Sequence, residues 1–187
     1  RELLWTIQEE AERLNRFVGN LLDMMRLESG ALELQREWVE IGDVIGTALA
    51  RLKQPLSQHQ LVLEVEPGLP MLQLDFVLVE HVLVNLLENA AQYSPPQTSI
   101  RVSARRQGQA IAVEVADRGI GVPAADVERI FDKFYRVQRG DRHGAGTGLG
   151  LSICRGVIEA HGGQISAKSP ANGQGTVFTV TLPVEKE

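Results

Sequence analysis

Four glycines in seven residues, Gly144-Ala145-Gly146-Thr147-Gly148-Leu149-Gly150, leave the chain no regular structure at that point. Each glycine brings backbone freedom that a helix or strand interior would have to remove. The run opens directly into a helical apolar pattern from Leu151 to Ile158. A glycine-rich loop feeding a helix presents N–H groups without partners and the positive end of the helix dipole, which together suit a phosphate. The spacing is neither GxxxxGK[ST] nor GxGxxG after a strand, so the two commonest nucleotide loops are excluded. A plain hinge is the other reading of the same residues.

Two further segments carry groups that suit a nucleotide. Asp117-Arg118-Gly119-Ile120-Gly121 follows an apolar strand, Ile111 to Val115. A carboxylate at a strand end can accept from an exocyclic amine such as that of adenine, and flanking glycines let backbone approach a flat ring. Alone, the segment is also an ordinary turn. In a helix capped by Asp75 and running to about Tyr93, Asn85 and Asn89 stand one turn apart on a single face. A carboxamide oxygen is a neutral hard ligand for Mg²⁺, and two helical Asn can equally be a surface pair or bond within the helix. Between the glycine segments lies the aromatic patch Ile130-Phe131-Asp132-Lys133-Phe134-Tyr135-Arg136, followed by Arg139 and Arg142. It suits an anchor for a lid with cations beside phosphates, or a solvated basic loop.

Around these segments, Leu4, Ile7, Ala11, Leu14, Val18, Leu21 and Met25 recur at spacings of three and four, a heptad seam. Phe17, Leu22 and Met24 widen the stripe, implying more than one neighbouring helix. Gly30 is a plausible end to this helix, and Leu32, Leu34 and Trp38 alternate as in a strand. The expected elements beyond the boundary are a helix over 41–56, strands over 61–65 and 71–74, the Asp75-capped helix, and strands over 99–106 and 110–116. Short helical pieces over 124–134, a helix over 149–160 and strands over 164–169 and 175–182 follow. Strands and helices mix without regular βαβ alternation, so the expected class is α+β: a mostly antiparallel sheet with helices on one face. The expected division is 1–30 and 31–187.

Composition removes other classes. A net charge of −5 gives no general attraction for polyanions, and no basic cluster interleaved with aromatics points to nucleic acid. The single cysteine, Cys154, cannot form an internal disulfide, and no Cys/His spacing resembles a zinc site.

Taken in order, the segments resemble the catalytic and ATP-binding domain of bacterial sensor histidine kinases, a Bergerat-type two-layer α/β sandwich shared with gyrase, Hsp90 and MutL. Asn85–Asn89 looks like the N box, Asp117–Gly121 the G1 box, Phe131–Phe134 the F box and Gly144–Gly150 the G2 box, with Gly175-Thr176 closing the series. The heptad helix resembles the second helix of the dimerisation and phosphotransfer hairpin. The wording from Asn20 to Leu49, with Leu21-Leu22-Asp23-Met24 and Trp38, is similar to the Kdp potassium-responsive branch.

The resemblance implies ATP and Mg²⁺ as ligands. It implies that Asn89 ligates Mg²⁺ with Asn85 in support, and that Asp117 receives the adenine amine with Thr176 assisting. Gly119 and Gly121 would border the ring, with Tyr93, Phe131 and Phe134 in the nucleotide site. Gly144, Gly146, Thr147, Gly148, Leu149 and Gly150 would wrap the phosphates, and Arg136 would contact one. It further implies a response regulator as partner, homodimerisation, and a membrane-embedded parent in a bacterial inner membrane with this portion cytoplasmic. Two departures stand out. Gln92 replaces a frequent Lys, and none of His59, His81, His143 or His161 lies on the heptad helix or precedes an acidic residue, so the acceptor histidine is expected upstream. An ATPase clamp and a docking module without kinase activity are the alternative functions; relatives of the clamp type place Glu where Asn85 stands.

Overall fold

A computed structural model describes residues 14, 18, 19, 21, 22, 25, 29, 32–137, 147–169 and 174–185. Of the heptad seam, Leu14, Val18, Leu21 and Met25 are described; they are helical and exposed. Leu4, Ile7 and Ala11 lie outside the described residues, as do Phe17, Met24, Gly30, Arg139, Arg142, Gly144 and Gly146.

The elements beyond residue 36 are β1 (Glu37–Val39), α1 (Ile41–Arg51), α2 (Lys53–Leu56), β2 (Gln60–Val65), β3 (Leu72–Leu74) and α3 (Phe76–Tyr93). They continue with β4 (Ser99–Gln107), β5 (Ala110–Ala116), a 3₁₀ turn (Arg129–Phe131), α4 (Gly150–Ala160), β6 (Gln164–Lys168) and β7 (Val177–Pro183). The main sheet has five strands in the order β2-β4-β5-β7-β6. Only the β2–β4 pair is parallel; the other three pairs are antiparallel. A separate antiparallel ribbon joins β1 to β3.

One face of the sheet is buried. Ile100, Val102 and Ala104 of β4 alternate with polar or half-buried neighbours, as do Phe178, Val180 and Leu182 of β7. These inward residues meet α3 and α4, which pack against each other as well as on the sheet. The opposite face carries Arg101, Ser103, Arg105 and Glu114, with an Arg105–Glu114 ion pair of 2.7 Å. This is the α+β arrangement of a mostly antiparallel mixed sheet with helices on one face.

Three boundaries differ from the sequence reading. The helix expected over 41–56 breaks at Leu52, where φ is −99° and ψ 19°, and restarts as α2. Pro55 explains why the restart fits: within the first turn of a new helix its missing N–H leaves no intrahelical bond unmade. The strand expected from Leu32 begins only at Glu37, because the Gln35 N–H is taken by Asp75 Oδ2 at 3.0 Å instead of a neighbouring strand. Between residues 124 and 134 the only helical piece is the three-residue 3₁₀ turn.

Candidate functional site

Asp117 stands immediately past the end of β5, next to the start of β7. Its backbone N–H donates to the Thr176 carbonyl at 2.9 Å, extending the β5–β7 pairing by one residue. Its Oδ1 accepts from the Gly119 N–H at 2.7 Å and the Thr176 N–H at 3.2 Å. One carboxylate oxygen is thereby committed to backbone, and Oδ2 keeps its acceptor capacity. Burial pushes the Asp117 carboxyl above its ordinary value, and the two backbone donors oppose that shift.

Backbone closeness around Asp117 requires glycine. A Cβ on Gly119 would lie 2.5 Å from the Tyr93 carbonyl oxygen, and one on Gly175 would overlap the Asp117 carbonyl. Gly175 also has φ of 82°, a region that L side chains seldom adopt. The two strands of this turn are joined by the Gly175 N–H to the Gly119 carbonyl at 2.7 Å. Ser169 locks the pair from outside: its hydroxyl donates to the Gly175 carbonyl and accepts from the Val122 N–H. Sequence reading missed Ser169 and the Tyr93 carbonyl, because nothing in the wording around Ser169 distinguishes it from any residue ending a strand. Thr176 is buried, Gly121 holds φ of 68°, and the Tyr93 side chain is half in solvent.

The second half of the site lies where α3 and α4 meet. Asn85 is half-buried; its Nδ2 donates to the His81 carbonyl at 3.0 Å, so the amide oxygen is turned outward. A Cβ on Gly150 would sit 2.9 Å from that Oδ1, which places Asn85 directly against the first residue of α4. Asn89 is half-buried one turn further along and its side chain has no hydrogen-bond partner among the described residues. At the start of α4 the Leu149 N–H donates to Thr147 Oγ1 at 3.3 Å, while the first-turn N–H groups that follow have no intrahelical acceptor. Leu149 itself is fully buried. Gly144 and Gly146 fall outside the described residues, so the structure describes this loop only from Thr147 onward.

The aromatic patch divides in two. Phe131 packs edge-on against Phe178, with ring centroids 6.4 Å apart, under the Arg155 guanidinium at 4.4 Å. It belongs to the core, and anchors the segment rather than lining an open cleft. Tyr135 donates to Asp126 at 2.6 Å and lies beneath the Arg129 guanidinium. Held between these anchors, Phe134 is 64% exposed at φ of 61°. Its N–H donates to the Gly148 carbonyl at 2.9 Å. Gly148 needs to be glycine here, since φ is 72° and a Cβ would meet the Phe134 backbone at 2.8 Å. Arg136 is exposed two residues on.

A carboxylate and glycines at strand ends thus lie beside two carboxamides and a glycine-opened helix. Residues 74–186 match the model of the histidine kinase-, DNA gyrase B- and HSP90-like ATPases. The chain belongs to that ATPase family. Among curated members it is 40% identical over 179 residues to the sensor protein KdpD of Escherichia coli (strain K12), covering 95% of this chain and 20% of that protein. It is 35% identical over 188 residues to the sensor histidine kinase WalK of Bacillus subtilis (strain 168), covering 98% of this chain and 31% of that protein. The chain thus spans between a fifth and a third of these ATPase relatives' length. The mycobacterial sensor histidine kinase MprB superposes with a TM-score of 0.70 at 27% identity, over 81% of this chain and 99% of that one. Full-length ShkA in complex with AMPPNP gives a TM-score of 0.85 at 24% identity, over 100% of this chain and 39% of that one, a likeness of fold. No helix among the described residues is long and apolar enough to cross a membrane.

Proposed function

We propose that this chain is the ATP-binding kinase module of a two-component sensor histidine kinase. The observation that carries the reading is the Asp117 carboxylate, with Oδ1 held by two backbone N–H groups and Oδ2 left to accept the adenine amine. The AMPPNP held by the structurally similar ShkA accords with it. Gly119 borders the ring, Gly175 packs against the Asp117 carbonyl and holds that turn, and Thr176 assists from the start of β7. Tyr93 and Gly121 border the base, while Phe131 and Phe134 hold the segment that carries Arg136 toward the phosphates. The α4 N-terminus, with Thr147, Gly148, Leu149 and Gly150, faces the triphosphate, and Gly144 and Gly146 continue that loop.

Mg²⁺ fits the residues present, because the unpartnered Asn89 carboxamide and the outward Asn85 oxygen are hard neutral ligands. Bound there, the ion would neutralise charge building on the phosphate oxygens. The rest of the catalysis is positioning: the γ-phosphorus–oxygen bond to ADP breaks as a bond forms to an imidazole nitrogen of a histidine on a separate helix. Asn85 cannot take a proton from water, which disfavours simple hydrolysis of the clamp type. Likeness to KdpD supports a potassium-responsive parent embedded in the bacterial inner membrane, homodimeric through its helices, with this portion cytoplasmic and a response regulator as partner. The heptad residues exposed on the described part of the first helix accord with dimerisation.

The test supplies an acceptor histidine on a separate helix. This chain, Mg²⁺ and γ-labelled ATP are incubated with a separate dimerisation hairpin of the KdpD type that carries its acceptor histidine. Acid-labile label on that hairpin is expected. Inorganic phosphate release without transfer would favour an ATPase clamp. No consumption of ATP would favour the docking module, the reading to which the exposed Gln92 lends support.

A further inference from the structure

Helices α3 and α4 run antiparallel, and three contacts fix their axial register. Asp75 meets His161, Val82 meets Cys154, and Asn85 meets Gly150. The middle contact is a long thiol–carbonyl approach of 3.9 Å between otherwise apolar neighbours, which sets register only weakly. The last is the candidate site itself. The first is a buried polar lock.

In that lock, the Asp75 N–H donates to His161 Nε2 at 3.0 Å, which makes Nε2 the acceptor and leaves the ring proton on Nδ1. Nδ1 lies 2.7 Å from the Val157 carbonyl and donates to it. The ring is 3% exposed, and its burial holds the imidazole below its ordinary pKa, in keeping with a neutral tautomer. The Asp75 side chain spans two further elements: Oδ1 caps α3 through the Leu78 N–H, and Oδ2 accepts from the Gln35 N–H. Arg36 donates to the Ala160 carbonyl at 3.2 Å and pairs with Glu185 at 3.3 Å. The segment leading out of the first helix is therefore tied to the far ends of both helices that frame the site.

We propose that Asp75 and His161 are positioning residues for phosphate recognition, setting the register of α3 against α4 and so the placement of Asn85 and Asn89 beside the α4 N-terminus. The inference rests on the nucleotide reading of the site above. At a rise of about 1.5 Å per residue, Asn85 lies about 15 Å from Asp75, so a small tilt or slip at the lock displaces the carboxamides against the glycine turn. The adenine end is built from β5, β7 and the loop ends beside them, and depends on α3 only through Tyr93, at the helix's last residue.

The experiment compares two probes by calorimetry, adenosine for the adenine end and a non-hydrolysable Mg²⁺–ATP analogue for both ends. His161→Leu fills the space without an acceptor; His161→Gln restores an amide oxygen; Arg36→Ala loosens only the exposed tie and keeps the core intact. His161→Leu is expected to leave adenosine affinity within about twofold while the analogue loses about tenfold, equivalent to about 1.4 kcal/mol. His161→Gln recovers most of that loss, and Arg36→Ala shows a smaller selective loss. Equal losses for both probes, or an analogue affinity unchanged in His161→Leu and Arg36→Ala, overturns the inference. A wild-type chain that binds neither probe sinks the nucleotide reading itself, an outcome distinct from the other two.

Discussion

The two ends of this site, proposed above for adenine and for phosphates, are built on different principles. Around Asp117 every atom that matters is backbone or is held by backbone: Gly119, Gly175 and Thr176 are cross-linked by hydrogen bonds, and Ser169 braces the turn from outside. Around Asn85 and Asn89 the groups are side chains on one helix facing the end of another, and their spacing follows from how two rods pack. The first arrangement is preformed and intolerant of added atoms. The second is adjustable, and it is where ordering by nucleotide and metal has room to act.

The sharpest way to break this contrast is Asp117→Asn. Because Oδ1 must keep accepting from two N–H groups, the new amide nitrogen takes the place of Oδ2 and presents a donor to the adenine amine. Adenine nucleotide affinity should fall at least about 100-fold, measured by calorimetry, and a 6-oxo purine should gain relative to adenine. Unchanged preference would show that Asp117 does not read the base. Next comes stability: Gly175→Ala and Gly119→Ala should each lose about 2 kcal/mol or more in urea titrations, whereas Gly46→Ala, with open space around it, should not. Third, Asn89→Ala should remove the Mg²⁺-dependent part of nucleotide binding, about tenfold, and leave adenosine binding intact. Equal loss of adenosine binding would merge the two ends into one.

The smallest effects are those of pH, and the two ends of the domain carry opposite signs. Asp117 has its folded pKa raised above 3.8, so the fold takes up a proton there before the unfolded chain does. Its contribution to stability therefore grows as pH falls through that window, while adenine binding, which needs the carboxylate, weakens. His161 has its folded pKa lowered below 6.5 by burial, so the fold binds fewer protons than the unfolded chain. The stability it contributes is complete above pH 6.5 and is lost as pH falls toward the lowered value. Denaturant midpoints measured from pH 7 downward check this, with His161→Gln expected to flatten the slope near pH 6.

Much of this contrast is legible in the residue order. Helix α3 announces itself through Asp75 and a long apolar period, and its cap is where the sequence places it. Strands β4 and β7 show clean alternation because one face is buried. Other features are invisible for physical reasons. All six residues of β2 are exposed although Leu61, Val62, Leu63 and Val65 read like core, because among the described residues β2 packs chiefly on β4, whereas the other edge strand, β6, is covered by α4 and buries Ile165 and Ala167. The parallel pairing of β2 with β4 depends on a crossover that no local pattern encodes. Phe131 and Phe134 look alike in sequence, yet one is core and the other is exposed in a left-handed turn, a difference set by Gly148 fourteen residues further on. His161 is one more histidine in the sequence; only its alignment with the Asp75 N–H, 86 positions away, gives it a role.

The central claim is that a preformed adenine pocket and a metal-dependent phosphate end act together. Calorimetric titration of this chain with a non-hydrolysable ATP analogue, with and without Mg²⁺, tests it most directly. The account expects saturable binding tighter than about 1 mM, or about 4 kcal/mol, that strengthens with Mg²⁺ and disappears in Asp117→Asn. Binding that ignores both Mg²⁺ and Asp117, or no binding at all, would contradict it.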